Sequence, residues 1–316
     1  MSTPFLVGLV GARGHTGHEL LRLIAGHPEL MLGYAISREF AGRPVRDVAA
    51  EMIDDLTFEA LTAEEIAKRR ADVVILAAPD GAAGDYVAAI DRLAPQRAII
   101  DLSADHRFDD NWAYGLPELY RAGIRGAKRI ANPGCYATAM QLAVAPLMDQ
   151  SSGPPSVFGV SGFSGAGSKP NPRNDVSRLA NNLMPYALTG HKHEKEASRH
   201  LGKSVRFTPH VHPAFRGIIA TVHIPVMQSM TRRDVVRLYS ERYADEPLIK
   251  LQDDAPELKD GTEINSVVIG GFSVSDDGHH IVVVAAEDNL LKGAAVQAIQ
   301  NINLSLGLEE FTGISI

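Results

Sequence analysis

The sequence predicts an α/β fold: a doubly wound parallel sheet, followed by a second domain of α+β type built on a mainly antiparallel sheet. Three observations carry that expectation. Residues 5–102 alternate short apolar runs with helix-spaced stretches, the pattern of successive βαβ units with right-handed crossovers. The first run ends in a glycine-spaced turn, Gly11-Ala12-Arg13-Gly14-His15-Thr16-Gly17, as in a Rossmann-type nucleotide-binding sheet. After Ser151-Ser152-Gly153-Pro154-Pro155, a linker, the pattern changes to alternating strands joined by turns.

A chain of 316 residues with 45% hydrophobic content has ample volume for such a core. The net charge of −7 comes without any Lys/Arg-rich block, which argues against a nucleic-acid partner. A single cysteine excludes a disulfide framework and a Cys-rich metal site, and it fits a reducing cytoplasm. No run approaches the length of a membrane span, and the N-terminus enters a strand without a basic or long apolar leader.

Phe5-Leu6-Val7-Gly8-Leu9-Val10 reads as a buried strand, and Leu20, Leu21 and Ile24 as one face of the helix that follows the glycine turn. Strand, turn and helix make a phosphate cradle: glycine permits close backbone approach, and the helix N-terminus favours an anion. Gly11, Arg13, Gly14, His15, Thr16 and Gly17 are therefore cofactor-binding candidates. The second strand ends in Ser37-Arg38-Glu39, where an acidic residue would favour NAD and an arginine the 2′-phosphate of NADP. Ser37 and Arg38 point to NADP.

Leu56 to Leu61 reads as a strand, and Thr62-Ala63-Glu64-Glu65 as a capping box before a short helix. Ala71 to Ala78 is a continuous apolar run suited to a central parallel strand, and Arg97 to Leu102 is the next. Ligands bind outside the carboxyl ends of such strands. The turns at Gly11–Gly17, Ser37–Arg38, Pro79–Asp80, Ser103–Arg107 and Asn132–Cys135 are all expected on that edge, with Pro79 lining the nucleotide. The long connection after Asp101 shows no clear secondary structure and reads as functional. In it, Arg107 is a candidate for an anionic substrate group, or for an ion pair with Asp105 or Asp109.

Strands are expected over Val157 to Phe163, Val205 to His212, Gly217 to Val226, Asn265 to Val274 and His280 to Ala286. Asp277-Gly278 joins the last two as a hairpin, and Thr231 caps the one clear helix of this half. A final helix repeats apolar residues from Leu291 to Leu306 and stops at Gly307. It is expected to dock on the first domain, with Asn289 at its start either near the nucleotide or as a simple cap. The expected division is 1–134 with 288–307 for the nucleotide, and 135–287 for catalysis, substrate and self-association.

The lone cysteine lies in Asn132-Pro133-Gly134-Cys135-Tyr136-Ala137-Thr138, between an apolar run and a helical pattern. A thiol at a helix start meets unpaired N–H groups and the positive end of the dipole, which favours the nucleophilic thiolate. A buried apolar role is the alternative. His191-Lys192-His193 and His210-Val211-His212 invite a zinc reading, but no other ligand type stands at a helpful spacing, so no metal is expected. Near a thiol, a neutral histidine serves better as acid/base.

These residues together make the chain resemble the N-acetyl-gamma-glutamyl-phosphate reductases, relatives of the aspartate-semialdehyde dehydrogenases. The segments that match are the glycine turn, Asp101-Leu102-Ser103-Ala104-Asp105-His106-Arg107, the cysteine stretch, Gly159 to Gly167, His191-Lys192-His193, Pro209-His210 with Arg216-Gly217, and Asp288 to Gly293. His106 and His212 are less typical and receive no role. The resemblance implies NADP(H), a small acyl phosphate substrate, a Cys135 nucleophile, an acid/base in the H-x-H segment and a homodimer or homotetramer. We place His193 as acid/base with His210 as the alternative, Asn289 with the cofactor, and Arg107, Asn132, Ser161, Ser164, His210 and Arg216 with the substrate. The rival readings are a reductase for N-acetyl-aminoadipyl phosphate or aspartyl phosphate, an NADP-binding regulatory protein, and a zinc-binding protein.

Overall fold

The computed structural model describes residues 3–52 and 55–316. The chain divides into two compact units, Met1–Gly134 with Ala294–Ser315, and Cys135–Gly293. The segment 288–293, expected with the last helix, thus falls in the second unit.

In the first unit, β1 (Phe5–Val10) leads into α1 (His15–Ala25), and β2 (Leu30–Ile36) follows. Next come β3 (Phe58–Glu59), α2 (Ala63–Lys68), β4 (Val73–Leu76), α3 (Ala83–Leu93) and β5 (Ala98–Asp101). The unit continues with β6 (Ala113–Tyr114), α4 (Pro117–Ile124) and β7 (Arg129–Ala131). These strands pair in parallel in the order β3-β2-β1-β4-β5-β7-β6. The order reverses at β1, so the switch point lies beside the turn after β1. β4 and β5 are buried throughout because helices cover both faces of such a sheet. The Thr62 capping box forms as expected.

Two expectations for this unit change. The strand expected over Leu56 to Leu61 shortens to two residues at the sheet edge. The connection after Asp101 is not structureless: it holds β6 and α4, and the His106 ring stacks on Trp112 at 4.0 Å.

The second unit opens with α5 (Cys135–Val144) and β8 (Ser156–Gly162). After them come α6 (Val176–Leu179), β9 (Met184–Pro185), α7 (Lys192–Leu201), β10 (Arg206–His212) and β11 (Ile218–Pro225). Then come α8 (Arg232–Arg242), β12 (Ile249–Leu251), β13 (Val267–Val274) and β14 (His280–Glu287). The sheet order is β12-β13-β14-β11-β8-β10-β9. Most neighbours are antiparallel, but β8–β10 and β12–β13 run parallel, so the sheet is mixed. One face of β8 and β10 packs on α5: a Cβ added at Gly159 would stand 2.6 Å from the Tyr136 ring and 2.7 Å from that of Phe207. The alternate residues, with Phe158 43% exposed, face away.

The last helix, α9 (Val296–Leu306), belongs to the first unit and ends at Gly307, with φ +78°. It is buried nearly all round, and the amides of Asn301 and Asn303 find acceptors. Asn301 Nδ2 donates to Gly115 O at 3.0 Å and to Asn132 Oδ1 at 2.9 Å, and Asn303 Nδ2 donates to Glu310 O and Thr312 O. The helix does not begin at Leu291 as expected: Leu291–Ala295 forms a π-helical turn, an irregularity frequent at functional sites.

Candidate active site

In the first unit, the glycine turn has the construction of an anion cradle. Gly11 adopts φ +83°, and a Cβ there would stand 2.2 Å from Ala77 O. A Cβ at Gly17 would stand 2.6 Å from Ala12 O. Only glycine fits at either position. No side chain caps α1, whose N-cap is Gly14, so its first N–H groups face outward from the turn. Thr16 sits in the first turn of α1, with His15 opening it.

At the end of β2, the Ser37 hydroxyl accepts the Phe40 N–H, and Arg38 is exposed. Glu39, the acidic residue next to them, is paired with Arg13 at 3.0 Å. Arg13 and Arg43 flank the Phe40 ring at 5.9 and 4.4 Å. The edge is thus basic, with the Glu39 carboxylate paired. Pro79 is exposed beside a brace between two loops: Asp80 accepts the Ala104 N–H, and Asp105 accepts those of Gly81 and Ala83.

Arg107 lies buried in the same unit and is engaged by backbone carbonyls. Its Nε donates to Asn132 O at 2.9 Å and its Nη2 to Leu102 O at 2.7 Å. It fixes the turn that precedes Cys135 in the chain. Asn132 serves the same turn, donating to Ala294 O at 3.3 Å.

In the second unit, Cys135 is the half-buried first residue of α5. The first-turn N–H groups of a helix have no intrahelical acceptor and favour negative charge there. Gly293 packs against it: a Cβ at Gly293 would stand 2.8 Å from Cys135 Cβ and 3.1 Å from Glu287 Oε1. Tyr136 donates to His210 O at 2.9 Å and stacks edge-on with Phe207. Burial, first of all, pushes the Tyr136 phenol well up, which keeps it a neutral donor.

His193 is buried in the first turn of α7, its ring 6.2 Å from that of Tyr136. His191 is the N-cap of α7, and its Nδ1 accepts the His193 N–H at 3.1 Å. The two imidazoles meet edge-on at 4.8 Å. Burial, with the charges of Lys192 and Arg173 beside it, pushes His191 down to about 4, so it is neutral at physiological pH. Tyr186 lies 5.6 Å from His191 and under the Arg173 guanidinium at 4.9 Å. Strand alternation sends the His210 side chain to the opposite face, where it stacks on Phe158 at 4.3 Å. His193 and Tyr136 are therefore brought together, and His210 is not.

The other residues of the second unit form a separate lattice. Asn289 Oδ1 accepts the Gly217 N–H at 2.8 Å, and its Nδ2 donates to Ser164 Oγ at 2.9 Å, so both ends of its amide are engaged within this unit. Ser161 is buried on β8. Arg216 faces Asp288 at 3.4 Å and borders a cavity of about 510 Å³ lined by Phe215, Leu258, Thr262 and Glu263. Among the described residues, no group of three or more His, Cys, Asp or Glu side chains is placed to hold a metal.

Sequence reasoning missed His191 as a cap, because caps are sought among Ser, Thr, Asp and Asn. It also missed Tyr136, Tyr186, Arg173 and Gly293. The signal for Tyr136 was its adjacency to Cys135; for Arg173 it was the turn-forming Asn171 and Asn174 on either side.

Comparison with known proteins identifies the family. The pattern of the semialdehyde dehydrogenase NAD binding domain matches residues 6–127, and that of the semialdehyde dehydrogenase dimerisation domain matches residues 135–289. An N-acetyl-gamma-glutamyl-phosphate reductase from Xanthomonas campestris is 54% identical over 98% of both chains. The fold is shared with aspartate semialdehyde dehydrogenase II of Vibrio cholerae, at a TM-score of 0.77 and 20% identity over 97% of this chain and 99% of that one. It is shared also with the aspartate semialdehyde dehydrogenase of Candida albicans solved with NADP, at a TM-score of 0.72 and 15% identity over 96% and 100%. The chain belongs to the N-acetyl-gamma-glutamyl-phosphate reductase family, within the semialdehyde dehydrogenases.

Proposed function

We propose that this chain reduces N-acetyl-gamma-glutamyl phosphate to N-acetyl-glutamate semialdehyde and phosphate with NADPH, a step of arginine biosynthesis. The observation that carries the reading is full-length relationship, 54% identity over 98% of both chains, to a reductase of that name. The glycine cradle and the basic edge at Arg13, Arg38 and Arg43 suit NADP(H), with Ser37 and Pro79 beside them. Asn289, with both ends of its amide engaged, acts on the cofactor only through the turn it holds.

The Cys135 thiolate attacks the acyl carbon; a C–S bond forms, the C–O bond to phosphate breaks, and a thioester remains. NADPH, when bound, supplies the hydride that reduces this thioester. The tetrahedral thiohemiacetal then collapses, freeing aldehyde and thiolate. N–H groups in the first turn of α5 hold the oxyanion at both tetrahedral stages, a donor of this kind being worth about 3 kcal/mol. His193 exchanges the proton with that oxygen, and Tyr136 fixes the ring beside it. Arg216, Ser161 and Ser164 border the substrate, whereas Arg107 and Asn132 shape the turn before Cys135. The enzyme works in the cytoplasm, where a lone thiol stays reduced, as a homodimer or homotetramer.

The test is an NADPH-oxidation assay with the acetylated glutamyl phosphate, against the aminoadipyl and aspartyl analogues. The acetylated glutamyl substrate should give the highest kcat/KM, and Cys135→Ser should retain less than about one part in a thousand of it. Turnover of a different acyl phosphate in preference would assign the chain to that reaction. Turnover of none would favour a regulatory NADP-binding protein.

A further inference from the structure

We infer that Arg173, seated on Tyr186, is the residue that grips the phosphate group of the substrate and holds it as it leaves. The inference rests on the acyl-phosphate reading above and names a residue for it that the sequence motifs do not single out.

The substrate carries two kinds of anion, a phosphoryl group and a carboxylate, and each calls for a guanidinium or its equivalent. The two arginines singled out by motif are already engaged. Arg107 spends its Nε and Nη2 on the carbonyls of Asn132 and Leu102. Arg216 faces the Asp288 carboxylate. Arg173 is half-buried and, among the described residues, has no carboxylate within ion-pair distance. A partly desolvated guanidinium that meets the Tyr186 ring and phenol but no carboxylate is a costly arrangement unless an anion completes it.

The loop that presents it is built rather than loose. Asn174 Oδ1 accepts the Asn171 N–H at 2.8 Å, and Asn174 Nδ2 donates to Gly167 O and Lys169 O. Asn171 Oδ1 in turn accepts the Arg173 N–H at 3.0 Å. Below the guanidinium, the Tyr186 N–H donates to Pro209 O at 3.2 Å, and the next residue, Ala187, is held at φ +41°. That left-handed conformation is unusual for a residue with a Cβ and tends to occur where a local geometry is functional.

The platform leads to the nucleophile through rings in contact. Tyr186 meets His191 at 5.6 Å, His191 meets His193 at 4.8 Å, and His193 faces Tyr136 at 6.2 Å, the residue bonded to Cys135. The phenol of Tyr186 is pushed well up, first by burial and then by the Cys135 thiolate, while Arg173 pulls the other way. Thiolate, phenol and guanidinium thus share one electrostatic neighbourhood, in which the guanidinium meets the oxygens of a phosphate expelled from the acyl carbon.

The reverse reaction isolates this contact, because phosphate is then a free co-substrate. With aldehyde and NADP as fixed partners, Arg173→Gln should raise KM for inorganic phosphate about 10- to 100-fold, the worth of a charge-assisted bidentate contact. KM for NADP and for the aldehyde should stay within about twofold, and Arg173→Lys should fall between. An unchanged KM for phosphate overturns the inference. So does a rise in KM for the aldehyde instead, which would assign Arg173 to the carboxylate. A second readout is independent of turnover: inorganic phosphate should slow alkylation of Cys135 by iodoacetamide in the wild type and fail to do so in Arg173→Gln. If the wild type turns over none of the acyl phosphates, the functional reading fails, while the alkylation result still decides whether Arg173 binds phosphate.

Discussion

His191 shows how one hydrogen bond divides a pair of like residues. Its Nδ1 accepts the His193 N–H, so the neutral ring carries its proton on Nε2, and protonation of Nδ1 would break the cap. Its folded pKa, about 4, lies below the ordinary value of 6.5. A depressed histidine contributes stability that is present above 6.5 and is lost as pH falls toward 4. Thermal melts of the wild type should therefore drop across that window, and those of His191→Asn, whose Oδ1 can still accept the N–H, should drop less. His27, also depressed chiefly by burial, contributes with the same sign but is present in both proteins and cancels in the comparison. Equal slopes would remove His191 from the pH dependence. At this scale the sequence made Cys135 and the glycine turn legible, one because the residue is unique, the other because only a tight turn needs that spacing. Arg107 was legible only in part: whether an arginine meets a ligand or backbone carbonyls depends on chain segments distant in sequence. Arg173 was not legible, since its significance lies in which carboxylates are missing around it.

Among the elements, the long apolar strands were read well, while the short β6, β9 and β12 and the polar helices were missed. The central strands are apolar runs buried on both sides, which hydrophobic pattern finds directly. α7 buries His193, Glu196 and Ala197, so its inward face is polar and no apolar periodicity marks it. α4 is short, interrupted by a non-helical Tyr120, and contains Gly123. Missing α7 also hid the parallel pairing of β8 with β10, because a crossover connection is what permits a returning strand to run the same way. α9 was found by its apolar repeat, but not the polar contacts that orient it. Asn301→Leu should leave Gly115 O and Asn132 Oδ1 without their donor and cost about 1–3 kcal/mol in chemical denaturation. Because Asn132 stands three residues before Cys135, kcat should fall as well. A stability loss below about 0.5 kcal/mol would show that the helix is held by its apolar contacts alone.

For the molecule as a whole, the alternation of period two leaves part of one face of the second sheet exposed. Phe158 is 43% exposed there and stacks on His210, with Val160 and Ile219 half-buried on the same face. Exposed apolar area of this kind marks a surface for another chain, and it falls in the region that matches a dimerisation domain. If a second copy seats on this face, Phe158→Arg should shift the mass in sedimentation equilibrium toward that of a single chain. An unshifted mass would move the interface elsewhere. The sequence made the alternation legible, but not which face the helices would cover, because that follows from how α5 packs over Gly159.

The placement of α9 also sets an order of events during synthesis. The first unit is assembled from residues at both extremes of the chain, so its bed for α9 is translated long before the helix that fills it. A ribosome making about 5–20 residues per second needs roughly 8–30 s to add the intervening stretch. For that interval the nascent sheet exposes an apolar surface, while the second unit, continuous in sequence, is free to close first. Chaperone demand should therefore fall on the N-terminal portion of the nascent chain, and a slow codon within the second unit would lengthen its exposure.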